Sequence, residues 1–459
     1  MNTILAPLRE LGEYEDIQKQ LNTQQGKVSI SGCVDSQKLH MVYGLTEKYD
    51  VKLIVTYSDM KAKELLDDCK LYCRESYYFP AKDLIFYQAD IHSNQLIKER
   101  VAVLRKLLEG EPITIVTTFS ALMAHQLPLS VWQENVIEIE EGGIAEEAAI
   151  ARQLVKMGYE KNYQVEAPGQ FSVRGGIVDI FDLTRENPVR IELWGDEVES
   201  IRSFDIESQR SIEKLTEVSI YPATELILSK KALEDGLARM EKDCKKSAAF
   251  FREETKPEEA HRLEQAVAEL KEQVTQFQSF VNLESYIGYF YEETQSLVDF
   301  VADRKLCICL DEPARIEEHA NAVELEFRES MSTRAEKGYI LPEQMNVLYG
   351  AREIYARLDK NRLLALSTME YKGFPVKFQN RYAVNARNVS SYNNSFPELV
   401  KDLNHYKKNG YRVLLVSASS TRAKRLATDL MDEGLNAFYS DNSQRELQPG
   451  EIMTFYGNV

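Results

Sequence analysis

Gly169-Gln170-Phe171-Ser172-Val173-Arg174-Gly175-Gly176-Ile177-Val178-Asp179-Ile180-Phe181, a turn at Asn187-Pro188, and then Val189-Arg190-Ile191-Glu192-Leu193-Trp194-Gly195-Asp196-Glu197 read as neighbouring strands of a sheet. The second run alternates without a break. Val189, Ile191 and Leu193 point one way, and Arg190, Glu192 and Trp194 the other. Side chains on a strand repeat every two residues, so the first set forms a core face and the second a solvent face. The first run has the same parity, with Phe171 and Val173 inward and Ser172 and Arg174 outward. One exposed face therefore holds Arg174, Arg190 and Trp194. These residue types dominate the binding energy of protein interfaces. The plainer alternative is an indole that covers a neighbouring domain or packs on the arginine stems. Gly175-Gly176 lies between strands and reads as a bend, not a nucleotide cradle.

Outward from this block the chain is an ordinary globular sequence of 459 residues, long enough for two to four domains, with 44% hydrophobic and 28% charged residues. The formal net charge of −17 sets the chain as a whole against phosphate backbones, and no long Lys/Arg run offsets it. Six cysteines show no C-x-x-C spacing and read as buried thiols of a reducing cytosol. Six scattered histidines form no metal pattern, so no metal site is expected. Residues 1–21 lack a signal-peptide core, and no apolar run is long enough to span a membrane. A cytoplasmic protein with no membrane partner follows as the expectation.

Residues 1–135 alternate strand-like and helix-like runs, a helix from Asp59 to Cys73 among them, which predicts a parallel sheet covered on both faces. Residues 136–221 turn to alternating strands with Gly, Asn and Pro punctuation plus one helix near 145–157, an inserted α+β domain. Residues 222–345 return to the first domain. They are helical from Lys230 to Asn282, with a restart at Thr255-Lys256-Pro257-Glu258 that reads as a capping box. Leu263, Val267, Leu270, Val274 and Phe277 make that segment's apolar stripe, and Leu306–Leu310 is a buried strand. Residues 346–459 read as a separate small α/β domain. The sequence stops straight after a strand-like run at 452–456, as expected of a piece of a longer protein.

Ser31-Gly32-Cys33-Val34-Asp35-Ser36-Gln37-Lys38-Leu39 sits between a strand and a helix, where a phosphate loop would carry G-x-x-x-x-G-K-[ST]. Gly32 and Lys38 hold their positions. Gln37 replaces the glycine that lets backbone amides curl around phosphate, and Leu39 replaces the hydroxyl that ligates Mg²⁺. Read plainly, Lys38 is then an ordinary surface lysine. The apolar strand Cys307–Leu310 ends in Asp311-Glu312, like a Walker B element, and the acid pair is also placed to cap the next helix. The combination reads as the relic of an ATPase site, with no catalytic residue expected.

The block 169–210 with Tyr221-Pro222-Ala223 resembles the UvrB-homology module of the bacterial transcription-repair coupling factors. The residues that carry the likeness are F-x-V-R-G-G-I-x-D-I-F, P-x-R-I-E-L-x-G-D-E, I-R-x-F-D and S-Q-R. The broken phosphate loop and Phe79-Pro80 with Leu84–Tyr87 extend it to about residue 340, and weaker motifs continue through the last hundred residues. The resemblance implies a degenerate RecA/helicase-like domain of α/β class, with the inserted domain docking on the repair protein UvrA through Arg174, Arg190 and Trp194.

It further implies that RNA polymerase and double-stranded DNA are bound, and ATP and Mg hydrolysed and held, by parts not present in this sequence. This segment would be a non-catalytic adaptor without cofactor that brings UvrA to lesions where RNA polymerase has stalled. A later part of such a protein could mask the UvrA face intramolecularly. The alternative is an active UvrB-like, ATP-dependent processor of damaged DNA. The residues between Tyr77 and the helix near Leu96 are too few for the damage-clamping hairpin of that protein.

Overall fold

The computed structural model describes residues 4–82, 94–276, 283–389, 391–392, 395–417, 419–442 and 445–456. Leu84–Tyr87, Phe277 and Asn282, which entered the expectations above, lie outside the described residues. The hairpin argument also rests partly on residues outside them.

Four strands open the chain: β1 (Lys27–Ser31), β2 (Val51–Thr56), β3 (Ser76–Phe79) and β4 (Ile113–Thr118). Eight follow in succession: β5 (Ile137–Glu140), β6 (Glu160–Lys161), β7 (Gln170–Arg174), β8 (Ile177–Ile180), β9 (Val189–Trp194), β10 (Glu197–Phe204), β11 (Ser211–Leu215) and β12 (Glu217–Ile220). Then come β13 (Leu306–Asp311), β14 (Leu363–Ser367) and β15 (Asn380–Ala383), and last β16 (Val413–Ser417), β17 (Ala437–Tyr439) and β18 (Ile452–Tyr456).

The main sheet has seven strands in the order β15-β1-β14-β13-β2-β4-β3, and every pair is parallel. Its central strands are apolar on both sides because helices cover both faces, as parallel sheets require. Val51, Leu53, Val55, Ile115, Ile308 and Leu310 serve one core, while Val28, Ile30, Ile54, Val116, Cys307 and Cys309 serve the other. The α/β class with an inserted unit and a further small parallel sheet, β16-β18-β17, is what the structure has.

Three expectations need correction. The separate unit does not open at 346, because β14 and β15 complete the main sheet on either side of β1. Only the strands from β16 onward form a sheet of their own. Local periodicity marks a strand but does not say which distant strand it joins. Second, Thr255 does not cap the second long helix, which starts at Pro257. Thr255 has φ 60°, and the Thr255 and Lys256 amides donate to the Arg252 and Phe251 carbonyls at 3.2 and 2.8 Å. That pattern closes the preceding helix, Lys230–Glu253, with a non-glycine residue in the left-handed position. Third, the helix expected to run to Cys73 ends at Cys69. The thiols of Cys33, Cys69, Cys244, Cys307 and Cys309 are buried and Cys73 is half-buried, all of them free.

The inserted sheet has the order β11-β10-β9-β8-β7-β6 and is antiparallel apart from the short β6–β7 pair. Its inner face (Phe171, Val178, Ile180, Val189, Ile191, Leu193, Val198 and Ile201) packs on Ile150, Leu154 and Met157 of the helix region 147–157. Strands β5 and β12 pair antiparallel where the chain enters and leaves this unit. Among the described residues, no helix is long and apolar enough to cross a membrane.

Candidate functional site

Strand parity places β9 as the sequence predicts. Val189, Ile191 and Leu193 are buried, and the indole of Trp194 is 81% exposed. Trp194 lies opposite Glu197 across a two-residue turn whose Gly195 has φ 64°. A left-handed residue there gives the turn the twist a tight hairpin needs.

Arg190 pairs in register with Asp179 of β8, and Ser172 of β7 lies on Asp179's other side. The register puts all three on the outer face. Arg190 donates from Nε to Asp179 Oδ1 at 2.6 Å and from Nη2 to Oδ2 at 2.8 Å. Arg174 Nη2 reaches the same Oδ2 at 2.9 Å. Asp179 is 1% exposed, so both guanidiniums roof a buried carboxylate. The Asp179 bond and charge raise the Arg190 pKa against the opposing cost of burial. Ser172, read as outward, is fully covered, and Val173, read as inward, is half-buried. The outer face thus carries its own buried layer.

Two apolar residues on this unit had no place in the sequence reading. Ile144 is 88% exposed and bridges to Glu197, the cross-strand partner of Trp194. Tyr163 is 85% exposed, with the Arg174 guanidinium 5.8 Å from its ring centre. Neither lies in an alternating run, so pattern alone could not find them. Asp179 had a signal: a lone acid between Val178 and Ile180, outward by parity.

The phosphate-loop relic is arranged otherwise. Lys38 is not the surface lysine of the plain reading but is buried, with Nζ at 2.9 Å from Asp35 Oδ1, 2.9 Å from Asp311 Oδ1 and 2.7 Å from Glu312 Oε1. An ammonium has three protons to donate, and three carboxylates take them. Burial pulls the Lys38 pKa down, but the Asp311 charge and the three bonds outweigh it, and the net shift is upward. Thr56 Oγ1 closes the cluster on Asp311 Oδ2 at 2.8 Å. Glu312 occupies the N-cap of the helix Pro313–Glu336 with φ 57°, yet its side chain makes no capping bond. Its Oε1 accepts instead from the Thr368 amide and hydroxyl at 2.8 and 2.7 Å. Burial pushes the Glu312 carboxyl up, the Lys38 and Thr368 bonds push it down further, and the net shift is downward.

Four of the loop's amides are also engaged. Gly32 (φ 79°) and Cys33 donate to the Thr368 and Ser367 carbonyls at 3.3 and 3.2 Å. A Cβ on Gly32 would run into the Val384 carbonyl oxygen. The amides of Gln37 and Lys38 both turn to the Val34 carbonyl. Leu39 is buried in the core behind the loop. The described positions of Gly32, Gln37, Lys38, Leu39, Asp311 and Glu312 do come together, but around an internal ion cluster. Among the described residues, no group of His, Cys, Asp and Glu has a metal-holding arrangement.

Residues 137–226 match the UvrB interaction domain family. Over 462 aligned residues the chain is 30% identical to a transcription-repair-coupling factor of Bacillus subtilis (strain 168), covering 100% of this chain and 39% of that protein. A transcription-repair-coupling factor of Staphylococcus epidermidis (strain ATCC 35984) is 25% identical over 441 residues, 95% of this chain and 36% of its own length. One of Staphylococcus aureus (strain MRSA252) is 25% identical over 472 residues, 100% of this chain and 38% of its own. The resemblance drawn from the sequence is thereby borne out along the whole chain. The chain spans less than two fifths of the length of these curated relatives.

Proposed function

We propose that this chain, which aligns end to end with part of the transcription-repair coupling factors, is a non-catalytic adaptor. On this reading its inserted sheet binds UvrA and brings it to lesions where RNA polymerase has stalled. The observation that carries the reading is Trp194, a large side chain left 81% exposed on the same sheet face as two guanidiniums. Burying such an anchor in a partner's pocket while a guanidinium edge meets a carboxylate is how interface hot spots are built.

The companion proposal is that the Gly32–Leu39 loop holds no nucleotide, so that this segment uses neither ATP nor Mg. Its lysine donors and the Gly32, Cys33, Gln37 and Lys38 amides are spent internally, and three carboxylates line it. Phosphate would meet the negative charge of those carboxylates, with the Lys38 donors already engaged. An active UvrB-like enzyme is the weaker reading for the same reason. RNA polymerase and double-stranded DNA remain proposed partners of the longer protein, bound elsewhere.

The test is the affinity of the 459-residue chain for purified UvrA, with Trp194→Ala alongside. Binding that Trp194→Ala weakens, in a variant of unchanged melting temperature, supports the dock. Equal affinity of the folded variant rules it out, and ATP hydrolysis abolished by Lys38→Ala would restore the enzyme reading.

A further inference from the structure

The two arginines of the proposed dock are engaged before any partner arrives. Asp179 holds Arg190 by two bonds and Arg174 by one, from beneath the sheet's outer face. Arg190 is further pinned by Nη2 donating to Gln209 Oε1 at 2.9 Å and by the Phe204 ring, whose centre lies 4.4 Å from its Cζ. Gln209 itself is fixed, with φ 56° and its Nε2 on the Ile206 carbonyl at 2.8 Å. A guanidinium has five N–H donors in a rigid fork. Three edges remain without a partner among the described residues: Nη1 of Arg190, and Nε and Nη1 of Arg174. Two guanidiniums against one carboxylate leave the cluster one positive charge in surplus.

An incoming carboxylate has two ways to use this cluster. It can displace Asp179, or it can add to the outer edges. Displacement would strand a nearly fully buried carboxylate, and breaking one partner out of a buried pair costs several kcal/mol. Addition leaves Asp179 paired and neutralises the surplus charge. It also spares the partner the entropy of ordering two long side chains, which Asp179 has already ordered.

We propose that Asp179 is the positioning residue of the dock: it presets Arg174 and Arg190 so that their outer edges receive a carboxylate of the partner while the Asp179 pairs stay closed. The inference rests on the reading of this face as the UvrA dock and adds to it the chemistry of the contact.

The test uses the whole 459-residue chain and purified UvrA. Asp179→Asn keeps the shape and removes the charge. We expect about tenfold weaker binding, and the loss caused by Arg190→Ala should shrink in the Asp179→Asn background, because a loosely held arginine has less to lose. A folded Asp179→Asn variant with wild-type affinity overturns the proposal. If Asp179→Asn does not fold, Arg190→Lys takes its place. A lysine keeps the charge but not the fork, so unchanged affinity there is equally fatal. The second readout is proton exchange at Arg190 Nε. It should be slow in the free chain and remain slow in the complex, and exchange that quickens on binding means the pair opens and the proposal fails. Absence of wild-type binding would instead sink the docking reading itself. Wild-type binding with an unmoved Asp179→Asn variant sinks only the positioning role.

Discussion

The phosphate-loop relic and the outer face of the inserted sheet are built from the same parts, and they differ in what is left over. At the relic one ammonium faces three carboxylates, and every one of its protons is taken. At the sheet one carboxylate faces two guanidiniums, and Arg190 Nη1 and Arg174 Nε and Nη1 have no partner among the described residues. A cluster with no spare donors is a strut. A cluster with spare donors, on the same sheet face as an uncovered indole, suits the proposed socket. Whether a cation serves the protein or a partner is decided by this tally of donors and acceptors.

The comparison can be broken most forcefully at the strut. Lys38→Met should leave the buried Asp311 and the half-buried Glu312 without their cation and lower the unfolding free energy by about 3 kcal/mol or more, measured by denaturant titration. UvrA affinity should not move. At the socket the converse holds. Trp194→Ala should cost about 2 kcal/mol of UvrA binding with the melting temperature unchanged. Arg190→Glu would weaken binding too, but it sets a second carboxylate against Asp179 and so also loosens the sheet, which makes the tryptophan the cleaner probe. Ile144→Ser should weaken UvrA binding by about 1 kcal/mol, the value of a part-buried aliphatic side chain, as read by calorimetry.

The smallest effects sharpen the contrast. Glu312 titrates below its ordinary 4.5, so its contribution is present above that value and is lost as the pH falls through the lowered one. Lys38 titrates above its ordinary 10.5, so its contribution is complete below that value and is lost as the pH rises through the raised one. In the wild type these two contributions should therefore stay flat from about pH 5 to about pH 10. UvrA binding, by contrast, should weaken as salt screens the half-buried guanidiniums. Finally, Gln37→Gly with Leu39→Ser rewrites the motif yet should yield no ATP binding by fluorescence titration, because Lys38 and the Gly32 and Cys33 amides stay occupied. Nucleotide bound by that double variant would show that the sequence change alone had closed the loop.

Much of this was legible from residue order. Alternation along β9 placed Trp194 outward, and the lost glycine and hydroxyl at Gln37 and Leu39 marked the loop as altered. What could not be read was long-range. That β14 and β15 flank β1 depends on pairings more than 300 residues apart. The burial of Lys38 follows from Asp311 and Glu312, also distant in the chain. Thr255 shows the opposite failure, a local motif overridden by the closing turn of the helix before it.

The neck of the inserted unit has a mechanical consequence. Ile137 and Ile220 are paired where β5 leaves and β12 rejoins the rest of the chain. A pull on the indole is thus delivered along two covalent backbones lying side by side. Both stretch together, so the ladder between them feels little sliding force.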